Sequence, residues 1–145
     1  MNRRTFMSKI HAAVAVSFLA FAPGCTKPLI VDYKDIEIEV RGGKEIFTYK
    51  GAPFTGVARE KHKNGNPSKE YPMRDGLIHG IVHEWWENGK LSVETHFENG
   101  KRHGLNRYWD TSGVQTKEQV YEHGESKSVK TLQDGVLKEV ESPKH

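Results

Sequence analysis

The chain is 145 residues long with 35% hydrophobic and 28% charged residues, a size and balance that allow one domain with a polar surface. Its 22 Lys and Arg against 19 Asp and Glu give a formal charge of +3, but Arg3, Arg4 and Lys9 all lie in the first 24 residues, and without that stretch the basic count falls to 19. A chain formally neutral beyond its leader lacks the clustered Lys and Arg excess that nucleic-acid binding requires, so no nucleic-acid partner is expected.

Residues 1–24 read as a signal peptide. MNRRTFMSK is a basic start, and IHAAVAVSFLAFA is an apolar run too short for a membrane span. The small residues of APGC then lead to Cys25, the single cysteine, so no disulfide framework competes for it. This ending resembles a bacterial lipobox, with Ala22 where leucine is usual and Pro23 as a departure; the resemblance implies a lipid on Cys25 and a membrane anchor. The alternative is a secreted protein with one spare thiol. Arg3, Arg4 and Phe6 in NRRTF resemble the twin-arginine export motif, so both Sec and Tat export stay open. Residues 25–34 are expected to tether a domain spanning 35–141, and 142–145 form a polar tail.

The domain opens with DIEIEV at 35–40, whose strict alternation predicts a strand. Gly42-Gly43 should turn it back toward EIFTY at 45–49. From Gly56 a 24-residue period takes over: Gly56, Gly80 and Gly104, then Gly65, Gly89 and Gly113, then Gly76, Gly100 and Gly124 form three columns in one register. A fixed period of this length marks a repeat architecture in which each unit buries its surface against its neighbours.

Within a repeat, Asn64-Gly65, Asp75-Gly76, Asn88-Gly89 and Asn99-Gly100 are dipeptides favoured in two-residue hairpin loops. Between them no apolar spacing at 3.6 persists, and Val, Ile, Trp, Tyr and Phe are frequent. The expected fold is therefore all-β, an antiparallel meander of repeated hairpins forming a single-layer ribbon, with core repeats over 56–127. Two-residue loops at 64–65, 88–89 and 112–113 would place Gly56 opposite Met73, Gly80 opposite Phe97 and Gly104 opposite Tyr121, a large side chain over each glycine. They would also set Glu70 against Arg59, Glu94 against His83 and Glu118 against Arg107. Cross-strand charge pairing explains why that glutamate recurs, so it is read as a structural column and not as catalytic carboxylates. A last hairpin at Asp134-Gly135 should pair Leu132 with Leu137 and Val129 with Val140.

The phrases FTGVAREKHKNG, HGIVHEWWENGKLSVETHFENGKRHG and HGLNRYWDTSG resemble the MORN type of repeat, in the variant carried by bacterial YwqK-family antitoxins. The likeness covers about 46–126, with YKGAPFTG at 49–56 similar to the opening of such arrays. Asp110-Thr111-Ser112 departs from the usual turn entry, Lys127-Ser128 replaces His-Gly, and Gly135 falls out of register, as in a capping unit. The resemblance implies a ribbon of hairpins that serves as a binding or spacing module.

Candidate chemistry is sparse. Six histidines, His62, His79, His83, His96, His103 and His123, lie in the repeats, and the simple register sets His96 against His103. They lack HxH or HExxH spacing, so solvated histidines are expected and neither a metal nor a cofactor is. Trp85, Trp86, Phe97, Tyr108 and Trp109 are the candidate partner-binding residues. Strand alternation sends Trp85 and Trp86 to opposite faces, and the rings either form a thin core against the terminal hairpins or make a docking patch. Serines without a nucleophile elbow and glycines without a following helix support neither nucleophilic catalysis nor phosphate binding. The expected protein is a non-enzymatic envelope lipoprotein facing the periplasm, and its resemblance to sorted lipoproteins, with Thr26 where aspartate is associated with inner-membrane retention, implies a slight preference for the outer membrane. Its repeats are expected to bind an unknown protein partner. The alternative is a periplasmic immunity protein or antitoxin that binds and blocks a toxin.

Overall fold

A computed structural model describes residues 27–140. The expectations for the signal peptide, Arg3, Arg4, Phe6, Cys25 and the tail at 142–145 lie outside the described residues. The described chain is all β apart from one 3-10 turn, Tyr33–Asp35.

The strands are β1 (Ile30–Asp32), β2 (Glu37–Arg41), β3 (Lys44–Tyr49), β4 (Ala52–Pro53), β5 (Gly56–Lys61), β6 (Pro67–Arg74), β7 (Leu77–Ile78), β8 (Gly80–Trp85), β9 (Leu91–Glu98), β10 (Lys101–Trp109), β11 (Gln115–Glu122), β12 (Glu125–Gln133) and β13 (Val136–Val140). From β5 onward each pairs antiparallel with the next, in the order β5-β6-β8-β9-β10-β11-β12-β13, with β7 beside β6. The hairpin meander read from the glycine columns is this sheet.

Two kinds of loop alternate along it. At Asp75-Gly76, Asn99-Gly100 and His123-Gly124 both residues have positive φ (51° and 77°, 49° and 80°, 52° and 96°), the two-residue geometry whose twist matches the flanking strands. At the other end of the sheet Gly65, Gly89 and Gly113 have positive φ, while Asn64, Asn88 and Ser112 do not. There the Trp86 N–H donates to the Lys90 carbonyl at 2.8 Å, which closes a three-residue loop over 87–89, and His62 with Asn66 and Asp110 with Val114 do the same. The two-residue reading of these loops is thus corrected. The physical reason is that a side-chain oxygen holds the loop: Asn64 Oδ1 accepts from Asn66 N, Asn88 Oδ1 from Lys90 N, and Asp110 Oδ1 from Ser112 N, at 3.0, 3.0 and 2.8 Å.

The expected register nevertheless holds in the strand bodies. Gly56 pairs with Met73, Gly80 with Phe97 and Gly104 with Tyr121, and Arg59, His83 and Arg107 face Glu70, Glu94 and Glu118. Each longer loop is offset by a β-bulge that adds one residue to the returning strand, at Ser68, Ser92 and Thr116, again 24 apart. Loop and bulge cancel. The last hairpin pairs Leu132 with Leu137 and Val129 with Val140 as expected.

Two features depart from a plain ribbon. Ile30–Asp32, inside the stretch expected to be tether, runs parallel to β5 and forms the first edge of the sheet. β2, β3 and β4 make a separate three-stranded sheet, bonded to the ribbon where the Phe47 N–H donates to the Gly76 carbonyl at 2.8 Å. The apolar core gathers there: Val31, Phe54, Ala58 and Met73 are buried, with Tyr33, Ile36, Phe47, Tyr49, Tyr71 and Ile78 packed around them. Gly56 is required at this junction, because a Cβ would run into the Leu29 carbonyl and the Phe54 ring.

Candidate functional site

The register sorts the side chains of the ribbon onto two faces. One carries a row of charges across nine strands. In spatial order Asp32, Arg59, Glu70, His83, Glu94, Arg107, Glu118, Lys130 and Glu139 stand side by side. Acids alternate with bases, His83 filling one basic place. Arg59 pairs with Glu70. Arg107 bridges Glu94 and Glu118, each at 3.3 Å, and Lys130 reaches Glu118 at 3.6 Å. Burial pushes the Glu118 carboxyl up, but the hydrogen bond from Arg107 and the charges of Lys130 and Arg107 outweigh it and hold the group below its ordinary value. Each recurring glutamate is committed to cations on neighbouring strands, the structural role the repetition suggested.

The opposite face carries Ala58, Tyr71, Val82, Thr95, Asn106 and Gln119 in one row. Asn106 is 1% exposed; its Oδ1 accepts from Thr95 Oγ1 at 2.9 Å and its Nδ2 donates to the Tyr108 hydroxyl at 3.1 Å. The next row holds Lys69, Glu84, Val93, Tyr108 and Lys117. Here, at the three-residue-loop end of the sheet, lies a groove of about 510 Å³ bounded by Trp85, Trp86, Val93, Tyr108 and Trp109. Ser68, Ser92 and Thr116, the bulged residues, line it too. The bulges therefore do more than restore register: they bend the strands where the groove forms.

Trp85 stacks on His83 with ring centroids 5.6 Å apart, so its ring is on the charged face. Trp86 donates Nε1–H to the Trp109 carbonyl at 3.2 Å and remains 38% exposed. The alternation expected of this pair is what occurs, and of the two alternatives for the rings the thin core is not the one found, since the core sits around Phe54 at the N-terminal end. Trp85, Trp86, Tyr108 and Trp109 all border the groove, Trp85 with its ring turned to the charged face against His83. Phe97 does not join them, because it pairs with Gly80 and Arg102 toward the opposite, two-residue-turn end of the sheet.

The loops beside the groove are tied to one another. Asn64 Nδ2 donates to the Glu87 carbonyl and Asn88 Nδ2 to the Thr111 carbonyl, both at 3.0 Å, and Lys90 Nζ to the Ser112 carbonyl at 2.8 Å. His62 Nε2 meets the Trp85 carbonyl at 2.8 Å. Sequence reading found the aromatic residues, named His62 only among the solvated histidines and missed these asparagine bonds; the signal was present in the recurrence of Asn-Gly at 24 residues, taken there only as turn chemistry.

The turns at the other end explain the phrase His-Gly. The backbone N–H of Asp75 donates to Thr55 Oγ1, that of Asn99 approaches His79 Nδ1 and that of His123 approaches His103 Nδ1, at 2.9, 3.4 and 3.5 Å. Beside each, Gly76, Gly100 and Gly124 donate to the carbonyls of Phe54, Ile78 and Arg102. Thr55, His79 and His103 thus hold the turn of the following hairpin. His103 does not face His96 in the ladder: the pairings Arg102 with Phe97 and Asn106 with Thr95 set three residues against one, and His96 instead meets Glu94 Oε1 at 3.2 Å.

No protein-family model and no curated protein matches the chain. A solved structure of accessory secretory protein 1, 2 and 3 in Streptococcus pneumoniae is 19% identical with a TM-score of 0.36, and the match covers 74% of this chain and 22% of that one. Similarity at that level carries no argument about function.

Proposed function

We propose that this chain is a non-enzymatic lipoprotein of a bacterial envelope, anchored through Cys25 and facing the periplasm, whose MORN-like hairpin repeats bind a protein partner. The observation that carries the reading is the groove beside Val93 and Tyr108, where the Trp86 ring stands exposed next to Trp109. Trp and Tyr dominate binding energy at protein interfaces because they bury large area while their polar tips keep a partner. Trp86 has its N–H bonded to Trp109 and its ring still exposed, so little ordering opposes contact. The leader ending APGC supports the anchor.

The test is expression of the full chain in a bacterial host with a photo-crosslinking residue in place of Lys90, beside the groove, followed by capture from membranes and mass spectrometry. An acylated Cys25 and one crosslinked protein, lost on Trp86→Ala, are expected. Truncation of a central tryptophan should weaken binding by about 2 kcal/mol, roughly 30-fold. A soluble, unacylated chain with nothing crosslinked overturns the reading. A secreted toxin as the crosslinked protein converts it into the immunity or antitoxin alternative.

A further inference from the structure

Glu98 at the end of β9, His103 in β10 and His123 in the turn after β11 each offer one ligand atom within 4.8 Å of the others. We propose that these three residues bind a divalent transition cation of the zinc, cobalt or nickel type. Two imidazoles with one carboxylate suit such ions and not Mg²⁺ or Ca²⁺, which prefer oxygen ligands.

The repeat supplies an internal comparison. One unit earlier the corresponding places are Arg74, His79 and Asn99, where Arg74 Nη2 lies 3.2 Å from His79 Nδ1 and the Asn99 N–H approaches the same nitrogen. That unit therefore sets a guanidinium beside its histidine, against Nδ1, where the next sets a carboxylate beside Nε2. In the next unit Arg74 gives way to Glu98 and Asn99 to His123, while the histidine between them stays. The turn does not call for His123: its φ of 52° is one that asparagine adopts more readily, as Asn99 does at 49°. Both replacements move the set from one that repels a metal to one that coordinates it.

The geometry needs little adjustment. The His103 and His123 rings meet edge to face with centroids 5.1 Å apart, and His103 Nε2 lies 3.9 Å from Glu98 Oε2. A tetrahedral ion with bonds of about 2.1 Å separates its ligands by about 3.4 Å, so side-chain rotation of about 1 Å closes the site. Glu98 and His123 are exposed and His103 half-buried, which leaves them that freedom. Coordination through His103 Nε2 places the ring proton on Nδ1, at the cost of the 3.5 Å contact with the His123 N–H, which is at the limit of a hydrogen bond. No net proton is released from a neutral ring. Three protein ligands leave at least one position for water or for a ligand from a partner.

The test is calorimetric titration of the chain, purified without an affinity tag, with Zn²⁺, and with Co²⁺ followed by its visible spectrum. One ion per chain is expected, and His123→Asn and Glu98→Gln should each weaken binding roughly tenfold or more. Asparagine at 123 suits the turn, so an unchanged melting temperature in that variant separates ligand loss from misfolding. His83→Gln, outside this cluster, should leave affinity unchanged. Failure of the wild-type chain to take up either ion, or equal affinity in His123→Asn, overturns the proposal.

Discussion

The two ends of the ribbon flank the same repeats and are held in different ways. At the N-terminal end Val31 of β1, Phe54, Ala58 and Met73 form an apolar cluster, with Phe47 and Tyr49 of β3 packed against it. Toward the C-terminus, from Arg107 to Val140, no described residue is buried. There the strands are held by their ladders, by cross-strand pairs such as Leu132 with Leu137 and Arg107 with Glu118, and by turns pinned to the preceding hairpin. A repeat can propagate without a core, but it starts on one: the first unit buries apolar area that later units replace with many small pairings.

Substitutions along the ribbon sharpen that contrast. Phe54→Ala should cost about 3 to 5 kcal/mol in chemical denaturation, whereas Leu137→Ala, half-exposed in the last hairpin, should cost about 1 kcal/mol or less. Equal losses would mean that the core is not concentrated at the first unit. Asn106→Ala lies between: it leaves the buried Thr95 hydroxyl without its acceptor and should cost about 1 to 3 kcal/mol. Hydrogen exchange ought to show the same gradient, with amides of β5, β6 and β8 protected longer than those of β12 and β13.

Smaller effects test the charged face and the loops. Glu118→Gln should cost about 0.2 to 1 kcal/mol near neutrality. Because the folded-state pKa of Glu118 is lowered, its contribution is fully present above the ordinary carboxylate value and is lost as pH falls through the lower folded value. Wild type and variant should therefore converge in stability under acid, and a gap that persisted there would assign the loss to packing. Asn88→Ala, which removes the bond to the Thr111 carbonyl, should shift stability by about 0.5 to 1 kcal/mol and loosen the groove beside it.

The sequence by itself determined the period, the strand character and the register across the loops at 64–65, 88–89 and 112–113, because glycines at fixed spacing and residues that alternate across a pleat are local requirements of a hairpin array. It identified Arg59 with Glu70 and Arg107 with Glu118 as partners although the loop lengths assumed were wrong, since bulges at Ser68, Ser92 and Thr116 restore the alignment. Only the tertiary structure decided where the core sits, since the parallel pairing of Ile30–Asp32 with β5 joins segments that no turn connects. It alone brought four of the five aromatic candidates to one groove and left Phe97 toward the other end. It also decided the roles of the histidines. A residue that holds the turn of the following hairpin acts across about twenty positions of sequence, and a cluster such as Glu98, His103 and His123 exists only where successive hairpins lie side by side.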